Sequence, residues 1–383
     1  MSNTLSRNGM QTLLGGMLLM LVLGSIHAFS VFLEPLEARF NAERTEVSFT
    51  YSLALVFLTI SVLFGHLFFA RFKPPLAVAV ICLAAGLGCV LAGFANSLVL
   101  VWLSYSVIFG AANGLGYALA LQTSAQANPD HRGLAMGLIT ASYGLGAALS
   151  PIVFDVLMAG SGFRGAMLGL AMVLVLIAPI VFALFTVSKT QLEVKSKARG
   201  KLFYGSPLTT FKLWAGYGTA VTAGLMAIGH AAGIMRTASP NEWMILAAPI
   251  TIAILNMIGS LIAGALADRI EAKLLICLLP ILSCLALVGM AHVEVPFLLL
   301  ICLGLIGFTY GATISVYPIA VSSIYGAVDG VKAYGRVFTA WGLAGVVGPV
   351  TAGYLFTQFG DYYLALLIAA FLSFTSIGIA RSV

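Results

Sequence analysis

The stretch GLITASYGLGAALSP (137–151) returns 198 residues later as GRVFTAWGLAGVVGP (335–349). Gly137 falls on Gly335, Tyr143 on Trp341, Gly144 on Gly342, Leu145 on Leu343 and Pro151 on Pro349. Three further pairs follow at nearly the same spacing. ICLAAGLGC (81–89) pairs with ICLLPILSC (276–284), Gly110 and Gly114 with Gly307 and Gly311, and GHLFFARFK (65–73) with GALADRIEAK (264–273). One match among apolar segments is unremarkable. Four in order at nearly one offset make the chain a tandem of two like halves.

The repeating segments are apolar, and so is nearly everything around them. Of 383 residues, 61% are hydrophobic and only 8% charged, against the quarter or so that a water-exposed surface carries. A bilayer span takes about 20 apolar residues. Twelve such segments are read near 11–33, 46–69, 75–95, 98–123, 132–158, 164–187, 208–235, 243–266, 272–291, 296–324, 334–357 and 361–380. The first is longer than the apolar core of a secretory leader and lacks a small-x-small cleavage site, so it is kept as a span.

SKTQLEVKSKARGKLFYGS (188–206), with five bases and one acid, separates six spans from six. The expectation is an all-α membrane protein of twelve transmembrane helices in two pseudo-symmetric bundles: 1–187, a linker at 188–206, and 207–383. With the N-terminus inside, fifteen Lys and Arg fall on the linker side and four on the other. That bias puts both termini in the cytoplasm, a placement that suits a bacterial inner membrane. The isoelectric point near 9.1 then reports orientation in lipid, with bases scattered over short loops and no nucleic-acid surface.

Five cysteines lie inside spans without zinc-ligand or disulfide spacing. There is no phosphate loop of the G-x-x-x-x-G-K-[ST] type, which excludes an ATP-driven pump. No catalytic cluster, metal set or cofactor motif is visible, so no enzyme activity is expected. Lipid and a small-molecule substrate, with protons as a possible second partner, are the expected company.

Polar groups at lipid depth are costly unless they face the bundle interior, so those near mid-span nominate a substrate cavity. They are His27 in span 1, Asn113 and Tyr117 in span 4, Tyr143 in span 5, His230 in span 7, Asn256 and Ser260 in span 8, Tyr310 and Tyr317 in span 10, and Trp341 in span 11. Each could equally serve helix–helix hydrogen bonding. His27 and His230 lie in the first span of each half, where an imidazole can carry a proton or meet an anion. Asp155 is placed to pair with Arg164 at the outer end of span 5.

Two like-oriented six-span halves joined by a basic loop resemble the parallel repeat of the major facilitator superfamily. The segment Gly264, Asp268, Arg269, Lys273 is similar to that superfamily's cytoplasmic gate motif. The resemblance implies that Asp268 sits against the positive N-terminus of span 5, which opens at Asp130-His131-Arg132. In the first half Phe69 stands where the acid would be, so the lock is expected from the second half alone.

GSIHAFSVFLEPLEARF (24–40), GLGYALAL (114–121), RGLAMGLITASYGLGA (132–147), AGLMAIGH (223–230), NMIGSLIAGALADR (256–269), GFTYGATISVYP (307–318) and YGRVFTAWGLAGVVGP (334–349) are similar to the oxalate–formate antiporter and monocarboxylate transporter group. That resemblance implies a secondary transporter, working as a monomer, that moves small carboxylates by proton symport or anion exchange. It also implies Asn-x-x-Gly-Arg in span 8, whose Arg holds the carboxylate. Here Asn256 and Gly259 are present, but the Arg position is Ser260. The group's span 11 Lys, near Trp341, is absent too. A neutral or amphipathic substrate, as in drug efflux, is therefore the alternative.

Overall fold

The computed structural model describes residues 6–193 and 206–383. Most of the expected linker, 194–205, including Lys195, Lys197, Arg199 and Lys201, lies outside them, and of the Glu34 and Arg44 side chains nothing is described. Among the described residues nine helices are long and apolar enough to cross a membrane. Two of these are double. Arg132–Val187 runs 56 residues and Pro296–Phe359 runs 64, and at about 1.5 Å per residue each far exceeds a hydrocarbon core about 30 Å thick.

Each double helix turns back at one break: Ser161–Gly162 in the first, with Gly162 at φ 57° and ψ −151°, and Gly326 in the second, at φ 78° and ψ 166°. The glycine dihedrals are open only to glycine, so spans 5 and 6 are joined by a two-residue corner and spans 10 and 11 by a single-residue one, rather than by loops. The loop expected at 325–333 is helix apart from that corner. Span 7 is also broken: Pro207–Ile228 and Ala231–Ala238 meet at 53° across Gly229-His230. With both arms of each double and the bent pair counted, the described residues supply twelve candidate crossings.

Local signals explain the ends. Ser6 and Ser206 accept from the backbone N–H of Gly9 and Thr209, and Asn241 from that of Trp243, which satisfies donors the helix leaves over. Glu43 and Glu46 form a reciprocal capping box on span 2 (Arg44–Phe69). Pro74 and Pro207 occupy first turns, where a missing N–H costs nothing. Leu83, Leu87 and Leu91 are about half exposed at helical spacing on one face of span 3, the stripe that lipid covers.

Two spans depart from α geometry. After Arg7–Leu23, span 1 tightens into a 3₁₀ helix over Gly24–Phe32, and span 4 loosens into a π-helix over Trp102–Phe109. Runs this long are uncommon for either form and tend to mark functional segments. The π stretch lets Trp102 Nε1 donate to Thr50 Oγ1 at 3.0 Å while Ser106 donates to the Thr50 carbonyl at 2.6 Å. Phe29 of the 3₁₀ stretch lies against Tyr105 of the π stretch, with ring centroids 5.3 Å apart.

The structure divides into two compact units. The first runs to His131 and resumes at Ser142; the second takes Arg132–Ala141 and everything from Pro207 on. The start of span 5 groups with the second unit because glycines allow it: a side chain on Gly133 would collide with the Gly264 carbonyl, and one on Gly137 would lie 2.7 Å from that of Ser260.

Inside each unit the sequence repeat becomes a repeated contact. In the first, Gly110 and Gly114 of span 4 press on the Ala54 and Leu58 carbonyls of span 2. In the second, Gly307 and Gly311 of span 10 press on the Ile252 and Asn256 carbonyls of span 8. Close backbone approach of this kind is what small residues supply where water cannot drive helices together. Replacing Gly114 or Gly311 with Val is therefore expected to destabilise its unit by about 1–3 kcal/mol, the usual cost of overpacking. Thermal unfolding in detergent measures it, and an unchanged midpoint would show that the helices separate freely.

Candidate substrate site

In the first unit the polar groups gather where span 1 changes pitch. The Leu23 carbonyl, at the junction of α and 3₁₀ geometry, accepts from Asn113 Nδ2 at 2.6 Å. Asn113 Oδ1 in turn accepts from the Tyr143 hydroxyl at 2.9 Å. The Tyr143 ring meets His27 edge-on at 5.2 Å and Tyr117 at 5.4 Å. His27 Nδ1 lies 2.7 Å from the Tyr51 hydroxyl. Gly24 makes the assembly possible, since any side chain there would run into the Tyr143 carbonyl.

The second unit repeats the central pair. Trp341 Nε1 donates to the Tyr310 hydroxyl at 2.8 Å. Trp341 is the repeat partner of Tyr143 at an offset of 198, and Tyr310 that of Asn113 at 197. Spans 4 and 5 of one half and spans 10 and 11 of the other thus make the same contact with different chemistry: a phenol on an amide in the first, an indole on a phenol in the second.

The ten expected residues divide by exposure. Asn113, Tyr117, Ser260, Tyr317 and Trp341 are buried, whereas His27, Tyr143, His230, Asn256 and Tyr310 keep part of their surface open. Asn113 is fully enclosed, and both ends of its amide are committed, so it orients Tyr143. Tyr317 packs on Tyr217 with ring centroids 4.5 Å apart. Ser260, 2% exposed, donates to the Gly311 carbonyl at 2.9 Å. The position that holds an Arg in the resembled group therefore ties span 8 to span 10. Asn256, one turn away, is half-buried, and among the described residues its amide makes no side-chain hydrogen bond.

His230 occupies the corner of the bent span 7. Its Nε2 lies 2.9 Å from the Pro349 carbonyl, and its Nδ1 lies 3.3 Å from the Tyr362 hydroxyl. A carbonyl only accepts, so Nε2 carries the hydrogen and Nδ1 faces the phenol. Both histidines thus sit where the first span of a half leaves α geometry, each beside a tyrosine. Tyr51 and Tyr362 escaped the sequence reading. Tyr362 sits at a span end, and Tyr51 has no polar residue in repeat register to single it out.

At the linker end of the second unit, Asp268 accepts the backbone N–H of Gly133 at 2.6 Å and of Leu134 at 2.9 Å, one to each oxygen. These are first-turn donors of span 5, and the carboxylate also meets the positive end of that helix. Gly264 allows the approach, Arg269 and Lys273 are exposed, and Arg132 Nε is buried without a hydrogen-bond partner. At the opposite end of the first unit, Arg164 lies over the Phe94 ring at 4.0 Å instead of pairing with Asp155. Among the described residues no group of three or more His, Cys, Asp or Glu could hold a metal ion.

A sequence model described as "Major Facilitator Superfamily" matches residues 12–240 and 215–381. The chain is 27% identical to the uncharacterized MFS-type transporter YhjX of Escherichia coli, over 88% of its length and 85% of that protein. It is 24% identical to the oxalate:formate antiporter of Oxalobacter formigenes, over 96% and 89%. Its fold matches the proton:xylose symporter XylE with a TM-score of 0.78 and 14% identity, covering 99% of this chain and 96% of that one.

Ser260→Arg tests the reading of span 8. A guanidinium has no room between the Gly311 carbonyl and the crossing at Gly137, so the variant is expected to lose about 1–3 kcal/mol of stability and to gain no carboxylate affinity. Thermal unfolding with and without a monocarboxylate measures both. A gain in affinity at unchanged stability would place the side chain in the cavity.

Proposed function

The chain belongs to the major facilitator superfamily, and from that we propose that it moves a small organic anion, a monocarboxylate above all, across the membrane by alternating access. Members of the superfamily are multi-pass membrane transporters, and gradients rather than ATP drive them. The anion reading rests on the likeness to an oxalate:formate antiporter over nearly the whole chain. One observation in the structure supports it most: the polar pair repeated within each unit, Tyr143 on Asn113 in the first and Trp341 on Tyr310 in the second, with partly open His27 against the Tyr143 ring. Within the second unit the half-buried Asn256 amide, one turn from Ser260, can offer donors to a carboxylate that no fixed cation meets. His27, beside the Tyr51 hydroxyl, is the residue we assign to proton coupling, and exchange of anions is the other mode the site allows.

The Asp268 contact is the gate in this reading. It closes the linker side and breaks when that side opens, since an N-terminal helix donor pair can be traded for water. The basic bias of the loops puts that side in the cytoplasm, with both termini there, and a bacterial inner membrane fits. The Ser260 bond to Gly311 favours the second reading: with the cation position spent on packing, a neutral or amphipathic substrate meets no mismatch.

Uptake into proteoliposomes decides between them. A panel of mono- and dicarboxylates, sugars and hydrophobic amines is offered with an inward proton gradient, with an uncoupler, and with preloaded counter-substrate. The expected result is carboxylate uptake, with His27→Gln cutting the gradient-driven component at least ten-fold while counterflow survives. Uptake confined to the amines or sugars would replace the anion by the alternative, and an unaltered gradient response in His27→Gln would remove that residue from coupling.

A further inference from the structure

One motif in the sequence is left without a task. The loop between spans 2 and 3 repeats the loop that carries Asp268, yet its acid position is Phe69, 6% exposed and folded back on Gly65, where an added Cβ would lie 3.1 Å from the Phe69 ring. What remains of the motif is basic: Arg71 and Lys73, both exposed. No Asp or Glu occurs anywhere between Glu46 and Asp130. Among the described residues the Arg71 guanidinium makes no hydrogen bond or ion pair, unlike Arg39, which donates to the Ala95 carbonyl at 2.6 Å.

Beside Arg71 the surface is hollow. A groove of about 570 Å³ runs along the first unit, lined by Ile60, Phe64, Leu67 and Phe68 of span 2, Leu115 of span 4, and Arg71 at its end. Ile60, Phe64 and Leu67 are each 41–56% exposed, so the groove opens on the side of span 2 that its own bundle does not cover. Apart from Ser61 it is apolar along its length, and Arg71 gives it a cation just past the end of span 2. We propose that this groove holds one anionic glycerophospholipid, an acyl chain along span 2 and the headgroup phosphate on Arg71, with Lys73 adding to the local field.

The division of labour follows from the solvent. Lipid tails are as apolar as leucine, so the groove positions a chain without preferring it over its neighbours in the bilayer. Preference comes from the headgroup. A guanidinium takes a phosphate through two parallel N–H donors, and a zwitterionic headgroup offsets that gain with its own cation. With no Asp or Glu between Glu46 and Asp130, no carboxylate of this loop or of the spans it joins competes for the arginine. In the second half the same place is occupied by Asp268, which takes backbone N–H groups and attracts no phosphate. The proposal does not depend on which substrate the transporter carries.

Native mass spectrometry of the full chain in detergent, titrated with phosphatidylglycerol and with phosphatidylcholine of the same acyl chains, tests it. The expected result is a single tighter phosphatidylglycerol adduct. Arg71→Gln should weaken that adduct about five-fold, the share one basic residue contributes to anionic-lipid attraction. Arg381→Gln, an exposed cation on the last span, should leave it unchanged. Inorganic phosphate alone should not displace the lipid at equal concentration. Equal binding of both lipids, an unweakened adduct in Arg71→Gln, or displacement by free phosphate would each overturn the assignment. Thermal midpoints of the lipid-free proteins confirm that the variants are folded.

Discussion

Nothing in the middle of a bilayer can hydrogen-bond a stray polar group, so the protein must answer each one itself. That constraint organises this molecule more than any single contact. Where span 1 abandons α geometry, the Leu23 carbonyl is met by Asn113, and the other end of that amide is met by Tyr143. Where span 8 carries a serine, its hydroxyl finds the Gly311 carbonyl. At the corner of span 7, His230 reaches across to Pro349. Polar side chains thus repair breaks in the helices, and the breaks allow spans 1 and 7 to differ from rigid rods.

Repetition gives the two halves a common frame, and substitution gives them different chemistry. The glycine pairs of spans 4 and 10 set the same close approach in both, because only a missing Cβ lets carbonyls of the neighbouring span come so near. On that frame the central pair changes from tyrosine and asparagine to tryptophan and tyrosine. The loops diverge further: Asp268 accepts the first N–H groups of span 5, whereas the buried Phe69 ring in the matching position offers no acceptor. A repeated scaffold tolerates this, since backbone packing carries the fold and the side chains above it are free to vary.

Much of the site was readable as a list of residue types, but not as a set of roles. Polar residues at lipid depth stood out because each is expensive there, which nominated Asn113, Tyr143, Ser260 and Trp341 alike. Exposure then separated them: Asn113 and Ser260 are spent inside helix–helix contacts, while His27, Tyr143 and Asn256 keep open surface. Periodicity could not make that distinction, since a helix face turned toward a neighbouring span and one turned toward a cavity share the same pattern. Tyr51 and Tyr362 were invisible for a related reason. Their importance comes from the histidines they meet, and those meetings join residues 24 and 132 positions apart.

The amino-acid sequence on its own determined that the chain lives in lipid, crosses it twelve times and is built from two copies of one plan. Composition and spacing suffice for these, because burying apolar helices in hydrocarbon is a property of each segment separately. Tertiary structure alone decided where the helices break, that spans 5 and 6 and spans 10 and 11 meet at corners of one or two residues built on a glycine, and which polar groups are consumed in packing. Those outcomes depend on which carbonyl lies within about 3 Å of which donor, a distance set by neighbouring helices and not by the segment that bears the group.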